Sequence, residues 1–111
     1  MSECVFDKII AGQIPSTVVF QDETVFAFKD INPKAPTHIL IVPKKHIASV
    51  NDLTKEDLPV MGHMLEVAKI IASQLGLNAF KLVINTGADA GQVVMHLHIH
   101  LLSGKKFETP V

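Results

Sequence analysis

The chain has 111 residues, 48 % hydrophobic and 19 % charged, enough for one domain (1–111) with a buried core and too apolar for disorder. Ten basic against eleven acidic residues leave a net charge of −1, which excludes bulk attraction to nucleic acid or anionic lipid as the organising principle. No apolar run exceeds four residues (Ile39–Val42 is one), far short of a membrane span. The start, Met1 to Cys4, lacks the basic and apolar regions of a secretory signal, and the single cysteine, Cys4, allows no internal disulfide. These features predict a cytoplasmic protein, the nucleus also being open to it, with neither a nucleic-acid nor a membrane partner.

Val5, Phe6, Ile9 and Ile10 recur at helical spacing, so Cys4 to Ala11 reads as a short amphipathic helix ended by Gly12 and Pro15. Thr17–Phe20 and Val25–Phe28, split by the polar turn Gln21-Asp22-Glu23, predict a hairpin. Asp30 to Pro36 carries two prolines and reads as a loop, and His38–Val42 as a third strand stopped by Pro43. A long helix follows, with Thr54 and Asp57 resembling a capping box and Gly76 a stop. Its predicted core stripe is Leu58, Met61, Leu65, Ala68, Ala72 and Leu75. Ala79–Ile84 reads as a fourth strand, Asn85–Gln92 as a glycine-bearing loop, and Val93–Leu102 as a fifth strand. Five strands and two helices in runs predict an α+β fold with an antiparallel sheet.

Six histidines are present, three of them within His96-Leu97-His98-Ile99-His100. On a strand these three rings share one face while Leu97, Ile99 and Leu101 share the core face. Rings side by side disfavour each other's protonation, which predicts neutral imidazoles near pH 7. A single metal ion on all three is not expected, because His96 and His100 lie about 13 Å apart at Cα along a strand. Cys4 is the only thiol, and Asp7 stands where a Cys-x-x-Cys pair needs its second cysteine, so no metal site is expected. Two readings stay open: a solvated face that is merely histidine-rich, and nucleophilic attack on phosphorus by the middle ring. The loop Asn85–Gln92 suits a phosphate, its glycines letting backbone N–H groups converge and its Asn85 and Gln92 adding neutral donors.

The His-φ-His-φ-His-φ-φ run behind Gly91-Gln92 resembles the signature of the histidine triad (HIT) superfamily. Flanking blocks extend the likeness: Phe6 to Ile10, Phe28 to Ile31, Pro36-Thr37-His38, Pro43 to Ile47 and Asn85-Thr86-Gly87. Together they look most like the Hint branch of small purine nucleoside phosphoramidases. The resemblance implies a five-stranded antiparallel sheet with two helices, ten-stranded across a homodimer. It implies cleavage of the P–N bond in adenosine or guanosine 5′-phosphoramidates through a covalent nucleotidyl-histidine, with no cofactor or metal. Carried over by position, His98 is the nucleophile, His100 and His96 orient it and bind phosphate oxygens, and His38 is a fourth active-site histidine. Asp30 takes the ribose hydroxyls, Phe6, Ile9, Phe28, Ile31 and Leu40 line the purine slot, and Asn85, Gly91 and Gln92 surround the phosphate.

The chain departs from that pattern in three places. Val93 stands where Hint proteins commonly carry a hydroxyl, Met95 replaces an aromatic residue, and Lys105 to Val111 replaces a tryptophan-bearing tail. His46, a zinc ligand in Cys-x-x-Cys relatives, is expected here to be structural or solvated, His63 carries no pattern, and Lys44-Lys45 reads as a solvated pair. Two alternatives remain: a dinucleoside polyphosphate hydrolase of the Fhit type, and a purine-nucleotide-binding regulatory protein with weak turnover, for which Val93 is the reason.

Overall fold

The structure, a computed structural model, describes residues 4–108. Its elements in chain order are α1 (Val5–Ile10), β1 (Val18–Gln21), β2 (Val25–Lys29), β3 (Thr37–Pro43), α2 (Leu58–Gln74), β4 (Lys81–Val83) and β5 (Ile99–Ser103). The strands form one antiparallel sheet in the order β1-β2-β3-β5-β4. This is the expected α+β architecture, with single 3₁₀ turns at Val50–Asp52, Lys55–Asp57 and Ala88–Ala90 added. Among the described residues no helix is long and apolar enough to cross a membrane.

Strand alternation divides the core in two. Val25, Ala27, Ile39, Ile41, Ile99 and Leu101 pack against Met64, Val67, Ala68 and Ile71 of α2. Phe26, Phe28, Leu40 and Val42 face the other way and pack against Phe6 of α1. β2 and β3 are therefore buried on both faces, which is why they read as unbroken apolar runs rather than alternating ones. Each buried Val, Leu, Ile or Phe among them contributes about 1.5–3 kcal/mol on leaving water. The second face is the one that matters for chemistry, because its apolar layer stops short of the β5 end of the sheet and leaves a cavity there.

The Thr54–Asp57 capping box starts the 3₁₀ turn Lys55–Asp57 that leads directly into α2, and Pro59 sits in the first turn of that helix. Asp57 also takes the Lys45 ammonium at 2.7 Å, so Lys45 is not a merely solvated residue. At the other end Gly76 adopts φ +67° and the Leu77 N–H reaches back to the Ala72 carbonyl at 2.9 Å, an αL stop that favours glycine. The core stripe differs from the expectation. The buried positions are Met64, Val67, Ala68, Ile71 and Ala72, while Leu58, Leu65 and Leu75 are 58 %, 52 % and 50 % exposed. The helix carries apolar residues around most of its circumference, so two overlapping stripes compete and only the sheet decides between them.

β4 and β5 are shorter than read from sequence. Continuing the β3–β5 register past Ile41↔Ile99 would set Leu97 opposite Pro43, and proline has no N–H to give a ladder. The chain instead leaves the sheet: the Leu97 N–H donates to the Ile47 carbonyl at 2.7 Å, and the Pro43 carbonyl accepts from His96 Nε2 at 2.8 Å. His96 and His98 thus precede the strand and only His100 belongs to it. Thr109 to Val111, the end of the divergent tail, lies outside the described residues, as do Met1 to Glu3.

Candidate active site

A cavity of about 570 Å³ opens on the second face of the sheet, a volume suited to a nucleotide-sized ligand. Its apolar wall is formed by Phe6, Ile9, Phe28, Leu40 and Val94, and Ile31 and Val93 stand at its mouth, Val93 88 % exposed. Asp30, Lys34, His38, Asn85, Gly91, His98 and His100 also line it. Of the residues that the resemblance assigns to catalysis and nucleotide binding, all but His96 and Gln92 are gathered here. Val5, Ile14, Lys34, Val83, Val94 and Leu102 were not singled out, although Val83 and Leu102 follow from strand alternation with His100.

The histidines are wired by the backbone. The Lys34 N–H donates to His38 Nδ1 at 3.0 Å, so the neutral ring carries its proton on Nε2. That Nε2–H faces His100 Nδ1 at 3.0 Å, with Asp30 Oδ2 3.4 Å away. His100 Nδ1 therefore accepts, and the ring keeps its own proton on Nε2. His98 is set the opposite way: its Nδ1–H donates to the His96 carbonyl at 2.7 Å, leaving the Nε2 lone pair unprotonated. Its ring stands against His100, centroids 4.8 Å apart, and against the edge of Phe6 at 5.1 Å. Side by side, then, lie a ring with a lone pair to give and a ring with a proton to give.

Burial is the main cause of neutrality. It pushes His100 down to about 4, with the neighbouring His98 and His38 lowering it further and Asp30 opposing. Burial also lowers His38, against the pull of Asp30. The mutual repulsion expected from sequence is thus real but secondary to desolvation.

His96 does not share this site. It is fully buried behind Phe6 and, with Nε2 donating to Pro43, turns Nδ1 towards Cys4 Sγ at 3.5 Å and Asp7 Oδ1 at 3.3 Å. His46 stacks its edge on the His96 ring at 4.8 Å and contacts Asp7 Oδ2 at 2.9 Å. One ligand atom from each of Cys4, Asp7, His46 and His96 lies within 4.8 Å of the others. His46, expected to be structural or solvated, is paired with Asp7 and packed on His96. Thiolate, carboxylate and two imidazoles suit a divalent cation such as zinc, and the Pro43 carbonyl on His96 Nε2 is the outer partner that a ligating imidazole needs. Asp30, His38 and His100 also come within 4.8 Å of one another. There the Lys34 N–H forces the proton onto the His38 nitrogen that would have to ligate, so that group is not set for a metal.

Gln92 also lies outside the cavity lining, buried among backbone groups of the loop and of the segment after β3. Asn85, by contrast, lines the cavity while donating to the Ala90 carbonyl at 2.8 Å. In the loop between them Gly87 and Gly91 take φ +87° and +96°, conformations that strain any side-chain-bearing residue.

The family model described as "Scavenger mRNA decapping enzyme C-term binding" matches residues 3–110. The purine nucleoside phosphoramidase of Escherichia coli K12 is 48 % identical over 105 residues, 93 % of this chain and 88 % of that protein. The 14 kDa zinc-binding protein of Zea mays is 46 % identical over 112 residues, 98 % of this chain and 88 % of that protein. Among solved structures, the HIT family hydrolase of Legionella pneumophila Philadelphia 1 superposes with a TM-score of 0.94 at 46 % identity, covering 97 % of this chain and 98 % of the other. With the triad geometry and these likenesses together, the chain belongs to the histidine triad (HIT) family and groups with its nucleotide hydrolases.

Proposed function

We propose that the chain hydrolyses the P–N bond of purine nucleoside 5′-phosphoramidates through a nucleotide carried covalently on His98. The observation that supports this most is the opposed tautomers of His98 and His100 inside one cavity. His98 Nε2 attacks the α-phosphorus, and the P–N bond breaks as the new P–N bond to the ring forms. The leaving amine takes a proton from solvent, and the His100 Nε2–H, its ring backed by the His38 Nε2–H, donates a hydrogen bond to a phosphate oxygen. Water then attacks the phosphorus of the adduct and gives its proton to solvent, and the P–N bond to His98 breaks to release the nucleoside monophosphate. Phe6, Ile9, Phe28, Ile31 and Leu40 take the purine, Asp30 the ribose hydroxyls, and Asn85 and Gly91 the phosphate oxygens. The phosphoramidase of E. coli, by its name, acts on this substrate class, and the likeness over 93 % of the chain supports the same reading here.

Adenosine 5′-phosphoramidate is the test substrate: the wild-type chain should release AMP and His98→Ala should not, while equal rates in the two would end the proposal. The Fhit-type alternative predicts a higher kcat/KM on diadenosine triphosphate than on the phosphoramidate. A homodimer with a shared ten-stranded sheet belongs to the same reading. β4 is an edge strand flanked and studded by exposed Phe80, Leu82 and Ile84, the kind of edge that pairs unless it is blocked. Sedimentation equilibrium at the monomer mass would refute the dimer.

The cluster of Cys4, Asp7, His46 and His96 supports a structural zinc site, a departure from the metal-free expectation. Zinc there would tie α1 and the segment after β3 to the residue whose carbonyl holds His98. The maize relative's name speaks of zinc binding in that protein. Elemental analysis should find one zinc per chain in the wild type and none in His46→Ala; a metal-free wild type after equilibration with zinc would refute it.

A further inference from the structure

Gln92 is 3 % exposed and its side chain is spent on backbone groups. Oε1 accepts the Gly87 N–H at 2.9 Å, and Nε2 donates to the Ala48 carbonyl at 2.7 Å and the Val94 carbonyl at 3.0 Å. Its own N–H closes the loop on the Gly87 carbonyl at 3.0 Å. A carboxamide has two N–H bonds to give, and both are used, so none remains for a phosphate.

The three partners lie on three segments that meet beside the cavity. Gly87 opens the turn that delivers Gly91 to the cavity wall. Ala48 follows Ile47, whose carbonyl holds the Leu97 N–H. Val94 lines the cavity and stands two residues before His96, whose carbonyl orients His98. The run from Val93 to His98 has no sheet ladder to fix it, so these bonds carry that duty. We propose that Gln92 is a positioning residue that holds the loop and the nucleophile's run in one mutual geometry without touching substrate. For its catalytic consequence this rests on the hydrolase reading above; for its structural part it does not.

Gln92→Glu and Gln92→Ala test it, with adenosine 5′-phosphoramidate as substrate and AMP as ligand. Glutamate can still accept from Gly87, but as a carboxylate it faces the Ala48 and Val94 carbonyls with no proton to give. Near pH 7.5 kcat should fall roughly 10²-fold in Gln92→Glu, the loss that goes with a reacting group displaced by about 1 Å. KM and the AMP Kd by calorimetry should move by less than about threefold. Relative to wild type, kcat of Gln92→Glu should recover as the pH falls and the carboxyl gains a proton. Amide exchange at Gly87 and Leu97 should quicken in Gln92→Ala. Should Gln92→Ala fail to fold, exchange in Gln92→Glu, compared at pH 7.5 and at acid pH, replaces that arm. An AMP Kd weakened tenfold or more with kcat and exchange unchanged would make Gln92 a substrate contact and overturn the proposal. A wild-type chain with no turnover would defeat the hydrolase reading, and the exchange and AMP arms would still decide the role of Gln92.

Discussion

Replacing His100 by asparagine removes one titrating ring while leaving an amide oxygen to accept the His38 Nε2–H. Burial holds His100 down to about 4, against an ordinary value of 6.5. The sign follows from that difference. Below pH 6.5 the unfolded chain takes up a proton at this residue that the folded chain refuses until pH 4. Stability from this group is therefore full above 6.5 and is lost as the pH falls through the interval. Between pH 7 and 4.5 the loss from this one ring is about 2 kcal/mol, and near pH 5 the slope is about 1.2 kcal/mol per pH unit. Urea unfolding at half-unit steps from pH 4.5 to 8 measures both. The wild type should show a slope near pH 5 steeper than that of His100→Asn by about that amount, whatever the other histidines contribute to both. Parallel curves for the two proteins would refute the buried, neutral state of His100 and with it the proton inventory of the cavity.

His63 titrates with the opposite sign. Its ring bridges Asp22 at the hairpin turn and Glu66 on α2, and the Asp22 hydrogen bond, followed by Glu66, raises its pKa above 6.5. The bridge is therefore fully formed below 6.5 and lost as the pH rises through the folded value; His63→Ala should cost about 0.5 kcal/mol near pH 6, discounted for exposure, and nothing above that value. Equal melting differences at pH 6 and pH 9 would contradict this. Gly104→Ala forces a Cβ within 2.8 Å of the Pro36 Cβ at a φ of +96°, and should cost about 2 kcal/mol by urea unfolding; an unchanged midpoint would refute the contact. Val93→Ser restores a hydroxyl at the cavity mouth and should raise kcat/KM on adenosine 5′-phosphoramidate roughly tenfold, the worth of a hydrogen bond to a charged oxygen, with stability changed by less than about 0.5 kcal/mol. An unchanged rate would show that the hydroxyl plays no part.

What sequence could show was what lies close along the chain. The hairpin about Asp22, the capping box of Thr54 and Asp57, and the Gly76 stop are set by local chemistry and stand as read. The histidine motif, with its flanking blocks, pointed to the family and to His38, Asp30 and the apolar residues that line the cavity. The failures are non-local. β5 begins late because Pro43, on another strand, has no N–H to offer Leu97, and this alone turns His96 out of the cavity. The α2 stripe was misplaced because a helix apolar on most sides takes its orientation from the sheet. Gln92 read as a phosphate donor because a buried carboxamide and an exposed one look alike in sequence. Asp7 read as a missing cysteine rather than as a carboxylate facing His46 and His96; its place three residues after Cys4, on one side of a helix, was the signal available.

The central claim is that His98, with its Nδ1–H held by the His96 carbonyl, is the group that attacks phosphorus. Rapid acid-free quenching of the chain during turnover of adenosine 5′-phosphoramidate, followed by peptide mass spectrometry, measures it directly. The account predicts an adenylyl adduct on His98, absent from His98→Ala. An adduct mapped to His96, His100 or His38, or one that persists in His98→Ala, would contradict it.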